Sequence, residues 1–248
     1  MKLLHTIFIY DINDFTMKDL PRFRGPSLIL LAMVHVLLFV AGLVAAATLR
    51  HGAPYVTPFA PAEALRSFLA QSPMAVRVSS FFLFGSAVPF GIFAVTTVSR
   101  LRYLGVRAAG TNIALLGGLI ATIALILSGS AGWILSLPDV LASAPVVKAI
   151  SFLNFLLGGV VFAVGFGLFA AGVAVTSHFM RLLPRWMVVL GILVGVTGEL
   201  SWFSLIAFPA NFFIPITRYL GILWMLSVAV ALTKDRGAAH AAPAGDLS

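Results

Sequence analysis

Six apolar segments, each of roughly 20 residues or more, constrain the fold of this chain more than any other feature. A helix needs about 20 apolar residues to cross a hydrocarbon core of about 30 Å, so each segment is long enough to span a membrane. Only 10% of the 248 residues are charged, whereas soluble domains carry about 25%. The sequence therefore predicts an all-α, polytopic membrane protein. Its six predicted transmembrane helices cover residues 27–49, 78–98, 108–134, 149–177, 186–208 and 212–233.

Basic residues outside the spans predict how the helices are oriented. Six consecutive spans are expected to form three antiparallel hairpins, which places both chain ends on one side. Of the 16 Lys and Arg residues, the N-terminal segment, the two tight loops and the tail hold 4, 3, 2 and 2. Cytoplasmic loops carry an excess of Lys and Arg, so both termini are predicted to be cytoplasmic. The expected location is a bacterial cytoplasmic membrane.

The two ends of the chain differ in composition from the spans. Residues 1–26 are predicted to form a cytoplasmic N-terminal segment, and residues 234–248, rich in Ala, Gly and Pro, a disordered cytoplasmic tail. Met17 is followed by Lys18 and is a second candidate start of translation. Residues 1–16 are therefore predicted to be dispensable.

The last two spans each carry one charge inside otherwise apolar sequence. Glu199 precedes the predicted turn at residues 208–211 by about ten positions, and Arg218 follows it by about ten; at ~1.5 Å rise per residue, antiparallel helices would hold the two level. A charge at that depth costs at least ~2.5 kcal/mol and usually faces the bundle interior with a partner. Glu199 and Arg218 are therefore predicted to form an intramembrane ion pair.

Further polar and aromatic side chains are predicted at the depth of this pair, in the outer half of the membrane. Two interpretations remain open. The pair could be structural, because breaking a buried pair costs ~3 to 5 kcal/mol. Alternatively, it lines a cavity that binds or passes a small molecule or lipid, with Arg218 and Arg77 as receptors for an anionic or amphipathic ligand and Glu199 orienting it. The predicted ligand-binding residues are Glu199, Arg218, Asn154, Arg77, Ser130, Trp202 and Tyr219.

Metal and haem sites are not expected. The chain has no Cys, which excludes thiolate ligands and Cys nucleophiles. His35 lies in the first span, but no other span contains a histidine that could complete a haem or metal pair with it. His35 is therefore predicted to hydrogen-bond to a neighbouring helix, and no cofactor is predicted.

The longest connection contains a short amphipathic segment, residues 62–71. Leu65, Phe68 and Leu69 would share one side of a helix there, with Glu63 and Arg66 away from them. This spacing suits a helix at the membrane interface, a packed cap over the bundle, or a lid over a cavity.

Small residues recur at every fourth position of the fourth span, at Gly159, Ala163, Gly167 and Ala171. Such a stripe lets another helix backbone approach closely, so a helix-packing role is predicted. A structural or assembly subunit that docks a partner membrane protein or a second copy along this stripe is the alternative function. A membrane enzyme is disfavoured, because the single buried acid has no paired carboxylate, Cys or co-located His.

The membrane explains the net charge of +8 better than nucleic-acid binding does. In a membrane protein, basic loops set orientation and attract anionic lipid headgroups. The predicted partners are therefore the bilayer and a small molecule or lipid, without nucleic acid.

Residues Phe166 to Gly198 comprise a helix end, a Leu183-Pro184-Arg185 loop and a glycine-bearing helix. This pattern resembles bacterial six-span membrane proteins classed as domains of unknown function. The resemblance implies a six-span fold and carries no activity, cofactor or catalytic residue.

Overall fold

The computed structural model describes residues 25–52 and 54–233. Predictions for residues 1–24 and for the tail after Thr233 lie outside this range. Within it the chain is helical and contains no strand. Six helices are long and apolar enough to cross a membrane, which confirms the predicted all-α, multi-pass class.

The helices are numbered in chain order. They are α1 (Leu28–Leu49), α2 (Ala62–Gln71), α3 (Pro73–Tyr103), α4 (Ala109–Ile134), α5 (Pro138–Leu141), α6 (Ala144–Phe155), α7 (Phe162–Phe179), α8 (Arg185–Leu200) and α9 (Phe213–Thr233). A π-helical turn, Leu156–Val161, joins α6 to α7, so that one span covers Ala144–Phe179. Two 3-10 turns, Ser201–Leu205 and Phe208–Phe212, connect α8 to α9.

Two spans are longer than the sequence predicted. The second runs from Pro73 to Tyr103 and the fourth from Ala144 to Phe179. Hydrophobicity marks only the part of a helix that crosses the hydrocarbon core, whereas backbone hydrogen bonding continues into the polar interface. The apolar runs therefore underestimated both helices at their ends.

Consecutive spans pack against one another, and the last returns to the first. α3 packs against α1 and α4, α7 against α4 and α8, and α9 against α8 and α1. The centre of this ring is filled by aromatic side chains, among them Phe90, Phe166, Phe169 and Trp224. Phe90 lies 5.4 Å from Phe166 between ring centres, and Phe169 lies 5.8 Å from Trp224.

Glycines permit a close backbone contact between α4 and α7. A Cβ atom on Gly117 would lie 2.6 Å from the carbonyl oxygen of Gly165, and a Cβ on Gly165 would lie 2.6 Å from the amide nitrogen of Ala121. Real Cβ atoms essentially never approach other atoms so closely. The two backbones therefore touch at a distance that any side chain would prevent.

The predicted small-residue stripe lies largely against α8. A Cβ on Gly198 would lie 2.6 Å from the Ala163 carbonyl oxygen, and a Cβ on Gly195 would lie 2.8 Å from the Ala171 Cβ. Gly167 lies between these contacts, since a Cβ there would be 3.0 Å from the Gly198 Cα. Gly159 instead borders Ile214 of α9. The chain thus fills the α7 part of the stripe with its own next helix.

Candidate ligand cavity

A cavity of about 410 Å³ lies beneath α2 and is bordered by α1, α3, α4, α6 and α9. Its volume falls within the range of small-molecule sites, about 300 to 1,000 Å³. Both polar and apolar side chains line it. It therefore has the size and mixed character of a site for a small organic molecule.

Helix α2 covers the cavity. Leu65 and Leu69 are buried and pack in one cluster with Leu135, which directly follows α4, and Val147 of α6. The same two leucines, with Phe68, also line the cavity. The sequence left three roles open for this helix, and the packed cap is confirmed, with a cavity below it.

The segment before α2, residues 54–61, is attached to α6; we call it the strap. The Phe59 ring lies 5.5 Å from the Phe152 ring, 5.3 Å from the Phe155 ring and 4.9 Å from the Phe208 ring. Lys148 Nζ donates a hydrogen bond to the Ala60 carbonyl oxygen. These contacts attach the strap to α6 and so hold the cap at one side of the cavity.

Replacing Phe59 with alanine is expected to loosen the cap. Aromatic pairs are worth about 0.5 to 1.5 kcal/mol each, so losing the ring should raise hydrogen exchange of the α2 amides about tenfold. The matched control is Phe212→Ala, because Phe212 lies in the connection to α9 and is 69% exposed. Equal exchange rates in the two variants would show that Phe59 does not hold the cap.

The deep end of the cavity is formed by Arg218. Its guanidinium carbon lies 5.5 Å from the centre of the Phe39 ring and 4.9 Å from that of Phe162. Nη2 donates a hydrogen bond to the Gly158 carbonyl oxygen, whereas Nε is buried and has no acceptor among the described residues. Gly158 belongs to the π-helical turn, and such turns release backbone carbonyls from regular pairing.

A group of small and polar residues forms the wall beside Arg218. Ser128 Oγ donates to Asn154 Oδ1 over 2.5 Å. Gly132 and Gly158 leave room for this group, because a Cβ on Gly132 would collide with Ser80 Oγ and one on Gly158 with Ser128 Oγ. In the cavity wall, the side-chain oxygen of Asn154 therefore already accepts a hydrogen bond from Ser128.

The predicted ion pair between Glu199 and Arg218 is not formed, and this part of the prediction was wrong. Glu199 and Arg218 do not approach within the 4.0 Å of an ion pair, whereas Arg66 and Glu63 do, at 2.9 Å. Glu199 does not line the cavity. Its Oε1 is buried without a hydrogen-bond partner in the part of the chain that the structure covers.

Helix rotation explains this result. At the level where the ion pair was predicted, α8 and α9 meet through two threonines: Thr217 Oγ1 donates to Thr197 Oγ1 over 3.0 Å. Glu199 follows Thr197 by two residues, which turns it about 200° around α8 at 3.6 residues per turn. The glycine face of α8 packs on α7, and Glu199 is turned away from the face that meets α9 through Thr197. Counting residues therefore placed Glu199 and Arg218 at similar levels of α8 and α9, but it did not predict the direction in which Glu199 faces around α8.

The remaining predicted ligand residues divide into one that lines the cavity and four that do not. Asn154 lines it. Arg77 is held outside by Ser136, with Nε donating to Ser136 Oγ over 3.1 Å. Ser130 Oγ donates to the Ile126 carbonyl oxygen of its own helix over 2.9 Å. Trp202 and Tyr219 are exposed on the outside of the bundle, at 44% and 54%.

Several polar residues that line the cavity were missing from the predicted set, among them Arg50, Ser79 and Ser128. Ser80 and Ser128 are wall residues, and Arg50 lies at the strap, with its guanidinium carbon 5.7 Å from the Tyr55 ring centre. Arg50 immediately follows α1, and Ser128 is two positions from the predicted Ser130. Their depth was readable from the sequence, whereas the choice of Ser128 over Ser130 depends on the rotation of α4.

The prediction for His35 is confirmed. The imidazole is buried, and Nδ1 donates to the carbonyl oxygen of Ser86 in α3 over 2.8 Å. Among the described residues, no group of three or more His, Cys, Asp or Glu is arranged to hold a metal ion. His35 therefore connects α1 to α3.

No protein-family model, curated protein or solved structure matches this chain. The resemblance to bacterial six-span membrane proteins of unknown function therefore stays a prediction.

Proposed function

We propose that this multi-pass membrane protein binds a small molecule or lipid in the cavity beneath α2. It holds the ligand at the outer surface of its membrane or passes it on from there. The observation that carries the proposal is a covered space of about 410 Å³ with Arg218 at its deep end. Binding sites for small ligands are mostly apolar, with a few placed polar groups. The mixture of phenylalanines, serines, an amide and guanidinium groups around this cavity fits that description.

The orientation is also a proposal. Three antiparallel hairpins with both termini cytoplasmic would place α2, the strap and the cavity on the outer side of a bacterial cytoplasmic membrane. The excess of basic residues in the two tight loops supports this assignment. A ligand would then enter from the extracytoplasmic aqueous phase or from the outer leaflet.

The alternative function, a subunit that docks a partner helix along the small-residue stripe, has less support. Ala163, Gly167 and Ala171 already contact α8 of the same chain. A partner helix could occupy their positions only by displacing α8. The arrangement thus favours use of the stripe for internal packing.

Thiol labelling tests the proposal, because the chain has no native cysteine. Ser79 lines the cavity, whereas Ser86 is buried on the same helix and hydrogen-bonded to the Leu83 carbonyl oxygen. We expect a membrane-impermeant maleimide added to intact cells to label Ser79→Cys and leave Ser86→Cys unlabelled. Equal protection of both cysteines, in permeabilised as well as in intact cells, would contradict an accessible cavity.

Two exposed positions control for orientation in the same experiment. Thr57 lies in the strap, and Ala108 lies in the tight loop before α4. Thr57→Cys should be labelled in intact cells, and Ala108→Cys only after the cells are permeabilised. The reverse pattern would overturn the proposed orientation and leave the cavity itself untouched.

A further inference from the structure

The charge of the cavity identifies the class of ligand. Two of its lining residues are charged, Arg50 near the strap and Arg218 at the deep end, and none of the described lining residues is acidic. The sequence-based expectation that Glu199 neutralises Arg218 does not hold, since these side chains do not pair. A guanidinium at membrane depth normally has a partner, because its desolvation is unfavourable. A bound anion would supply the missing negative charge.

The polar groups at the deep end of the cavity keep free hydrogen-bond donors, and no carboxylate is among the described lining residues to accept from them. The Gly158 carbonyl that Arg218 contacts is neutral, and Arg218 Nε has no acceptor in the described part of the chain. Asn154 accepts from Ser128 through Oδ1, which leaves its amide nitrogen as a donor. Arginine binds carboxylates and phosphates through two parallel N–H groups. The deep end therefore suits the oxygens of a carboxylate or phosphate.

The rest of the cavity is largely apolar. Phe39, Leu83 and Phe155 border it from the helices, and Leu65 and Phe68 cover it from α2. Phe39 also faces the Arg218 guanidinium, so the charged and apolar regions are adjacent. A ligand that satisfies both regions has an anionic head and an apolar chain.

We propose that the cavity binds an anionic amphiphile, with its carboxylate or phosphate head at Arg218 and Asn154 and its apolar chain against α2. This inference rests on the proposed function and specifies the ligand of the same site. Arg218 is the receptor for the head. Arg77, which the sequence offered as a second receptor, is bound to Ser136 and does not take part.

Protection of the Ser79→Cys thiol tests the ligand class without requiring an activity. The protein is kept in dodecyl maltoside micelles, which are uncharged and present every probe with the same background of dodecyl chains. At about nine times their Kd, dodecanoate and dodecyl phosphate are expected to slow maleimide labelling about tenfold. Dodecanol lacks the charge-assisted hydrogen bond, which adds about a factor of ten in affinity, so at the same concentration it should slow labelling no more than about twofold. Acetate and inorganic phosphate should leave the rate unchanged, and Thr57→Cys should respond to none of the probes.

Matched arginine variants test the receptor. In the Ser79→Cys background, Arg218→Gln should reduce protection by dodecanoate to that given by dodecanol, whereas Arg77→Gln should retain it in full. Retention of a single elution peak and of the parent melting temperature serves as the folding control. If Arg218→Gln fails this control, the comparison of dodecanoate with dodecanol on the parent protein still decides the ligand class.

The outcomes separate the inference from the function on which it rests. Equal protection by dodecanol would overturn the anionic head, and equal protection by acetate or phosphate would overturn the apolar chain. Protection by none of the probes, with Ser79→Cys freely labelled, would overturn the ligand class while leaving an accessible cavity. Failure of Ser79→Cys to react at all would overturn the proposed function.

Discussion

Replacing Gly117 with alanine is expected to lower the free energy of unfolding by about 3 kcal/mol, at the upper end of overpacking effects. The new methyl group would lie 2.6 Å from the Gly165 carbonyl oxygen, and this contact is with backbone. A backbone cannot change rotamer, so α4 and α7 would have to separate along the whole crossing. Unfolding in mixed micelles, followed by circular dichroism, measures the change.

Gly85→Ala is the matched control for this substitution. Gly85 also lies inside a membrane-spanning helix, but the nearest atom to its added Cβ would be Leu38 Cδ1, at 4.0 Å. Alanine is a better helix former than glycine by roughly 0.5 to 1 kcal/mol, so this variant should be unchanged or slightly more stable. Equal destabilisation by the two substitutions would contradict the α4–α7 backbone contact.

Replacing Phe90 with alanine is expected to cost about 2 to 3 kcal/mol, for a different reason. Phe90 is fully buried, and its ring lies 5.4 Å from Phe166 and 5.2 Å from His35. In soluble proteins Phe→Ala costs about 3 to 5 kcal/mol, part of which is transfer from water. Lipid is as apolar as the bundle interior, so mainly the lost packing remains here.

The same substitution on the outer face of α3 separates packing from hydrophobicity. Phe81 is 70% exposed and lies on the same helix as Phe90. Phe81→Ala should change the free energy of unfolding by less than about 1 kcal/mol, because the exposed ring has little packing to lose beyond its contact with the Phe82 ring, 5.4 Å away. A comparable loss in both variants would show that the aromatic centre of the bundle does not stabilise the fold through packing.

Side-chain depth was more predictable than side-chain facing at the candidate site. Asn154 and Arg218 were predicted from the sequence and do line the cavity, because depth follows from counting residues along a helix of constant rise. Arg77 and Ser130 were predicted at suitable depths, yet both hydrogen-bond elsewhere. Adjacent residues on a helix differ by about 100° in direction, so depth alone does not distinguish the cavity from its surroundings.

The short helix α2 illustrates the same distinction. The spacing of Leu65, Phe68 and Leu69 predicted a helix with one apolar side. That apolar side could face lipid, pack on the bundle or cover a cavity. In the structure it does the last two, because Leu65 and Leu69 pack against Leu135 and Val147 and also line the cavity.

The sequence by itself determined six helices long and apolar enough to cross a membrane, and the approximate level of each polar residue along its helix. Length and hydrophobicity are sufficient for this, because a bilayer requires long helices with internally satisfied backbones. Only the tertiary structure decided that α8 turns its glycines toward α7 and its Thr197 toward Thr217. Helix rotation depends on which faces fit together across several helices at once. That fit leaves Arg218 without a carboxylate partner among residues 25–52 and 54–233, at the deep end of a covered cavity.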